Sequence, residues 1–324
     1  MSRKRPDALA FAESPAQLLN ALEWAYAENA RAYARLVILG PSDPTTRFQL
    51  HRLSDLARGD GFEVVWAEVR RGAGAARELA GLAQQVRTAA ALVIGDPYSG
   101  MIQLLLNGAA PTTRLVVVDD GTATLRYAEQ WENGEELKRW HLDRRGVPSR
   151  ITGLRATRLL GHRSDRVELF TAMPVTAPIP AQANTYAWVR HRFATPAVLP
   201  GTDLMGSSLV ETGVIDEAAY LDGIARLTAE RAVSRYLPHR HETPAKLAVI
   251  EQLGVRIVKP DLPMEVYARR GPIGRSILSF PSTVLHTLPL VLDGTDVSIG
   301  ALSVDDDWFV AGARDEEKAF VRGI

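Results

Sequence analysis

The sequence predicts an α/β protein of two units, each built on a parallel sheet. Three observations lead there. Short runs rich in Val, Leu and Ile alternate with amphipathic stretches from the first residues onward. A strand covered by helices on both faces reads as such a continuous apolar run. The alternation breaks at Lys138, passes a Pro-rich stretch and resumes near Ala197. Finally, 324 residues are too many for one ordinary domain of this class and comfortable for two.

In the first half, Ala8–Glu13, Arg35–Gly40, Phe62–Val69, Ala90–Gly95 and Arg114–Val118 read as buried strands ended by Gly, Pro or Asp. Helices are expected between them. Ser14-Pro15 supplies an N-cap and a proline at the first helical position, and Leu18, Leu19 and Leu22 follow at helical spacing. Asp43-Pro44 opens the next, and Gly72–Ala89 and Gly100–Gly108 give two more. Lys138–Arg166, with nine Lys/Arg and two Asp, reads as an irregular or partly helical excursion. Val167–Ala172 is one more strand, and the three prolines of Pro174–Ala183 suit an extended linker.

In the second half, strands are expected at Ala197–Leu204, Ala232–Leu237, Val255–Val258, Arg275–Ser279 and Asp296–Val304. Helices are expected at Asp216–Arg231, Glu242–Leu253 and Pro281–Leu292. The expected division is 1–180 for the first domain and 181–324 for the second, with a ligand cleft between them.

Composition excludes several classes. With no cysteine, there is no disulfide, thiolate metal site or cysteine nucleophile. Thirty-eight basic and 38 acidic residues leave no net field toward nucleic acid. The basic start, Met1 to Pro6, is not followed by an apolar run of the kind a secretory signal has. No apolar stretch approaches the roughly 20 residues that span a bilayer. A cytoplasmic protein is expected. Its membrane contact would be peripheral at most, through the basic segment 138–166, which also suits an anionic acceptor.

The chemistry-bearing residues fall after strands. Ligands of parallel sheets bind at the carboxyl ends of strands, so Asp119-Asp120-Gly121 is well placed. Adjacent carboxylates suit a metal ion or a general base supported by its neighbour. A helix cap beside a solvated acid accounts for them equally. Pro238-His239-Arg240-His241-Glu242 follows another strand. An imidazolium at His239 and the guanidinium of Arg240 suit a phosphate, while His241 and Glu242 sit at helix-capping positions. Ser282 and Thr283 open a helix, where free N–H groups favour an anion, although simple capping is the commoner use of such residues. Glu265, in Lys259–Glu265, suits the two hydroxyls of a ribose or an exposed helical position. Asp305-Asp306-Asp307 reads as a loop rather than a metal site. No Gly-x-Gly-x-x-Gly follows the first strand, and no phosphate loop, zinc-hydrolase or nucleophile-elbow motif occurs.

Taken in order, these groups resemble those of bacterial sialyltransferases, including the lipooligosaccharide sialyltransferases and capsule polysialyltransferases. Glu13–Asn20 in the first strand–helix turn, Ile94-Gly95-Asp96, and Gly206-Ser207-Ser208-Leu209-Val210-Glu211 extend the resemblance from about residue 8 to 300. It implies a GT-B fold: two Rossmann-like domains with parallel sheets facing across a cleft. It also implies an inverting, metal-independent transfer of sialic acid or a related nonulosonate from a CMP-sugar to a glycan or glycolipid hydroxyl, with no cofactor. Asp119 would be the base and Asp120 its support. Gly121 and Arg240 would lie at the donor, His239, Ser282 and Thr283 on its phosphate, and Glu265 on its ribose. Ser14, Gln17, Gly206 and Ser207 are further cleft candidates. The family's His-Pro is replaced here by Pro238-His239-Arg240, and its frequent Gly-Gln-Pro by Gly206-Ser207-Ser208. Two other readings stay open: a UDP-sugar-dependent GT-B transferase or epimerase, and a non-catalytic sugar- or nucleotide-binding protein on the same scaffold.

Overall fold

A computed structural model describes residues 7–70, 72–137, 147–315, 318, 321 and 322 and, for 147–152, the backbone alone. The chain forms two compact units, Met1–Trp188 and Val189–Ile324.

The first unit runs β1 (Ala8–Ala12), α1 (Pro15–Ala27), β2 (Ala34–Leu39), α2 (Pro44–Gly59), β3 (Glu63–Ala67), α3 (Ala75–Val86), β4 (Ala91–Ile94), α4 (Gly100–Leu106), β5 (Arg114–Val118), α5 (Thr122–Asn133), α6 (Val147–Leu160), β6 (Val167–Thr171) and β7 (Ala181–Ala183). Its seven strands are parallel, in the order β3-β2-β1-β4-β5-β6-β7. The central strands are buried on both faces because helices cover both: every residue of β1 and β4 is buried. The helices start where their caps dictate. Ser14, Asp43 and Ser99 each accept a backbone N–H three residues on, and proline follows the first two.

The second unit opens with α7 (Ala187–Arg192), whose first two residues belong to the first. It continues with β8 (Val198–Met205), α8 (Glu217–Glu230), β9 (Val233–Leu237), α9 (Pro244–Gln252), β10 (Arg256–Ile257), α10 (Met264–Arg270), β11 (Ile273–Ser279), α11 (Val284–Val291) and β12 (Ser298–Ala301). These five strands are also parallel, ordered β10-β9-β8-β11-β12. In both sheets the first strand of the unit is central and the order reverses beside it, between β1 and β4 and between β8 and β11. That is the Rossmann arrangement, and its switch point is where such sheets bind ligands. A buried ion pair ties the centre of the second sheet. Arg235 on β9 donates from Nε to Asp203 Oδ1 on β8 at 2.6 Å and from Nη2 to Oδ2, while Gly274 N–H on β11 donates to Oδ2 at 2.7 Å. A Cβ on Gly274 would lie 2.8 Å from Asp203 Cγ, so the site is closed to any side chain there.

The structure departs from expectation in particular places. α5 was not foreseen, because Gly121 at its N-cap has no side chain to signal a start. The expected strand Val255–Val258 shrinks to the two residues of β10, at a sheet edge with a single partner. The helix expected from Pro281 begins at Val284. The Pro-rich stretch is not wholly linker: Ala181–Ala183 pairs with β6. The chain then docks back on α1 instead of leaving at residue 180. Asn184 Nδ2 donates to Asn20 Oδ1 at 3.0 Å, Trp188 N–H to Glu23 at 2.8 Å, and the Trp188 indole to Asp60 at 2.9 Å. These contacts hold the first unit together to Trp188. The N-terminal segment 1–6 and residues 138–146 of the basic segment lie outside the described residues. From 147 on, that segment forms α6, which packs on α4 with Ala156 and Leu160 in the core. No helix among the described residues is long and apolar enough to cross a membrane.

Candidate active site

At the carboxyl edge of the first sheet, α1 and the β5–α5 turn meet. Asp119 is 1% exposed, and its carboxylate is engaged by β6: Thr171 Oγ1 donates to Oδ1 at 2.6 Å and Ala172 N–H to Oδ2 at 2.7 Å. Its carbonyl accepts from Asn20 Nδ2 at 2.9 Å. Asp120 is partly exposed and faces the start of α1. Gln17 Nε2 donates to its Oδ2 at 2.8 Å, and Ser14 Oγ lies 3.5 Å from its Oδ1. Gln17 is itself fixed, because its Oε1 accepts Glu13 N–H at 2.8 Å and its stem lies on Gly95, where a Cβ would fall 2.2 Å from Gln17 Cγ. Gly121 takes φ 61° and ψ −133°, which only glycine adopts cheaply, and this turn separates the two acids from α5.

The second unit gathers its candidates after β8 and β9. His239 is partly buried, and its Nδ1 accepts His241 N–H at 3.3 Å. Burial, and then the neighbouring His241 and Arg240, lower its pKa to about 4. At neutral pH it is therefore an imidazole, not the imidazolium expected. With Nδ1 accepting, Nε2 carries the proton and is the donor. Arg240 is exposed. Gly206 closes tightly over Glu242, whose Oε1 would lie 1.9 Å from a Cβ there. Ser207 donates its N–H to Tyr220 Oη at 3.2 Å, and its Oγ accepts Leu209 N–H at 3.3 Å. Both serine groups thus shape their own loop.

Across β8, on the α10–α11 side, Glu265 accepts from Thr287 Oγ1 at 2.8 Å, and burial pushes its carboxyl above the usual range. Thr283 and Thr287 are four residues apart and share one face of α11, so Glu265 lies on the face that Thr283 begins. Thr283 does not cap α11 with its side chain, and Ser282 beside it is partly exposed.

The residues singled out therefore form three clusters: Ser14, Gln17, Asp119, Asp120 and Gly121 in the first unit; Gly206, Ser207 and His239 in the second; and Glu265 with the start of α11. Asn20, Thr171, Tyr220, Tyr236 and Lys246 were not anticipated. Asn20 had a signal, a polar residue one helical turn after Gln17 on an otherwise apolar helix. Lys246 had none. Among the described residues, no group of three or more His, Asp or Glu is placed to hold a metal ion. In the acidic run, Asp306 pairs with Arg322.

No protein-family model matches the sequence, and no curated protein is detectably similar to it. Solved structures are similar in fold. One is described as a UDP-N-acetylglucosamine 2-epimerase from Listeria monocytogenes, at 10% identity and TM-score 0.52, over 93% of this chain and 80% of the other. A second is the UDP-GlcNAc 2-epimerase of Neisseria meningitidis bound to UDP-GlcNAc, at 11% identity and TM-score 0.51, over 96% and 85%. An E. coli heptosyltransferase with an ADP-heptose analogue is more distant, at 12% identity and TM-score 0.44 over 98% and 99%. With two Rossmann-like units and these neighbours, the fold is of the GT-B class. The two neighbours with TM-scores of 0.52 and 0.51 are named as UDP-N-acetylglucosamine 2-epimerases, not sialyltransferases, which overturns the sialyltransferase assignment and its CMP-sugar donor. The physical reason is that its motifs are strand-end features of the fold itself. Ser14 caps a helix, Gly121 makes a turn, and Gly206 admits Glu242.

Proposed function

We propose that the protein is an enzyme of nucleotide-sugar chemistry, a glycosyltransferase or epimerase whose substrate is a nucleoside-diphosphate sugar, with UDP the first nucleotide to test. The observation that carries this is Asp120. It is a partly exposed carboxylate after β5, at the carboxyl edge of the first sheet, oriented by Gln17 and Ser14 and backed by a neighbouring acid whose carboxylate is held by Thr171 and Ala172. Such a group is suited to accept a proton. The roles of the pair are therefore exchanged relative to the sequence expectation: Asp120 is the base and Asp119 the anchor.

In the second unit, Glu265 is the ribose ligand. His239 Nε2–H and the Ser282–Thr283 start of α11 bind the phosphates. In a transfer, the acceptor hydroxyl gives its proton to Asp120 as its oxygen bonds the anomeric carbon, and the bond to the nucleotide breaks. The leaving nucleotide takes the bonding electron pair. The epimerase reading is favoured by the two fold neighbours with the higher TM-scores, both named for that activity. In that reading Asp120 exchanges a carbon-bound proton. Incubating the protein with UDP-GlcNAc without acceptor, and following the sugar nucleotide by NMR in deuterated water, separates the two. Deuterium incorporation with an altered sugar marks an epimerase, while UDP release that requires an added acceptor marks a transferase. Failure of UDP, ADP and CMP alike to bind would sink the nucleotide-sugar reading.

A further inference from the structure

Beneath the candidate loops of the second unit lies a buried charged network that the proposed chemistry does not use. The Lys246 side chain is fully buried. Its Nζ contacts Glu211 at 2.9 Å, Glu242 Oε2 at 3.2 Å and the Ser207 carbonyl at 3.2 Å, and it lies 4.7 Å above the centre of the Tyr220 ring. Glu242, equally buried, accepts from Tyr236 Oη at 2.7 Å and from His239 N–H at 2.6 Å. With the Tyr236 proton given to Glu242, Tyr220 Oη donates to Tyr236 Oη at 2.8 Å, and Tyr220 Oη accepts Ser207 N–H. Glu211 accepts Thr243 N–H at 3.2 Å.

The ends of this network all fall on main-chain atoms of two loops. Ser207, in the loop after β8, is held at both its N–H and its C=O. His239 and Thr243, in the loop after β9, are held at their N–H groups. β8 and β9 are neighbours, so both loops stand at one carboxyl edge. A buried ion pair adds little stability over apolar residues of the same volume, because desolvation offsets the attraction. What this one supplies is directional contact with backbone that has no secondary structure of its own.

We propose that Lys246 and Glu242 are positioning residues that lock the loop after β8 and the loop after β9 into one unit and so set the affinity of the second unit for nucleoside diphosphates. The affinity half rests on the nucleotide-sugar reading; the locking does not. The test uses the full chain with Lys246→Met, Glu242→Gln and the milder Tyr236→Phe, which removes one hydroxyl and keeps the ring. Amide hydrogen exchange is read by mass spectrometry, and UDP binding by calorimetry. In folded variants, amides of 206–213 and 238–243 exchange about tenfold faster while β8, β9 and β11 keep their protection, and UDP binds about tenfold more weakly. Tyr236→Phe moves both readouts in the same direction by less, and carries the test should Lys246→Met not fold. A folded variant in which either loop exchanges as in the wild type overturns the locking. So does acceleration spread evenly over the second unit, which is what a purely structural role predicts. Unchanged UDP affinity in loosened variants overturns the affinity half alone. A wild-type protein that binds none of UDP, ADP and CMP overturns it together with the nucleotide-sugar reading.

Discussion

Asp119 gives both carboxylate oxygens to β6, whereas Asp120 shares its own with two side chains at the start of α1. Substituting each therefore has a different outcome. Asp119→Ala leaves a buried hydroxyl and a partly buried N–H without their acceptor, at a cost of about 1–3 kcal/mol for the buried one and less for the other, and urea unfolding should register that loss. Asp120→Asn keeps the size and one acceptor, so stability should stay within about 1 kcal/mol of wild type while turnover of the sugar nucleotide is lost. Equal loss of nucleotide binding and turnover in Asp120→Asn would remove the general-base role. His239 offers a third measurement. Its folded pKa, about 4, lies below that of an unfolded histidine, so the unfolded chain binds the extra proton first. Its contribution to stability is present above the unfolded value near 6.5 and is lost as pH falls toward 4. Two-dimensional NMR of the imidazole should show a neutral Nε2–H tautomer at pH 7; a midpoint near 6.5 would contradict this. Asp119-Asp120-Gly121 was legible in the chain as a pair of acids ending a buried strand. How each acid is held was not, since the difference lies in Thr171 and Ala172, more than fifty residues away.

At the scale of elements, α1 is the organising helix of the first unit. Gln17, Asn20 and Glu23 recur every three residues, are all buried, and reach Asp120, the Asp119 carbonyl and Trp188 N–H in turn. The leucines that predict this helix account for its packing, and the polar stripe accounts for what it positions. Asn20→Ala would strand the Asp119 carbonyl and the Asn184 amide, with an expected cost of about 1–3 kcal/mol in chemical denaturation. Gly95→Ala tests the link from packing to site. Its methyl would displace Gln17, so activity should fall further than it does in Gly100→Ala, where nothing lies within 4 Å. Comparable activity of the two variants would show that Gln17 does not orient Asp120. Caps made the starts of α1 and α2 readable, because Ser or Asp stands where a side-chain acceptor is needed and proline follows. The start of α5 was not readable, because a glycine turn does that work there.

For the whole molecule, the proposed function gives different chemistry to two units whose sheets share one strand order through five strands, and ligand binding should respect that division. A nucleoside diphosphate at 100 times its dissociation constant adds roughly 2.7 kcal/mol. Hydrogen exchange should find the added protection in the second unit, around 238–243 and 280–287, rather than in the first. Protection confined to the first unit would reverse the assignment of nucleotide and base. A larger thermal shift with UDP than with ADP or CMP would support the donor proposed here, and a preference for CMP would count against it.

By itself the sequence determined the α/β class, the two-unit plan and most strand positions. These follow from local apolar runs, caps and turn residues, which act within a few neighbours along the chain. The tertiary structure alone decided where the first unit closes, since Trp188 is held there by α1 and Asp60. It also decided which of two adjacent carboxylates is accessible, that His239 is neutral, and that Lys246 lies under the loops it holds. Each of those depends on burial and on partners distant in sequence, and neither charge state nor accessibility is a property of a residue apart from its surroundings.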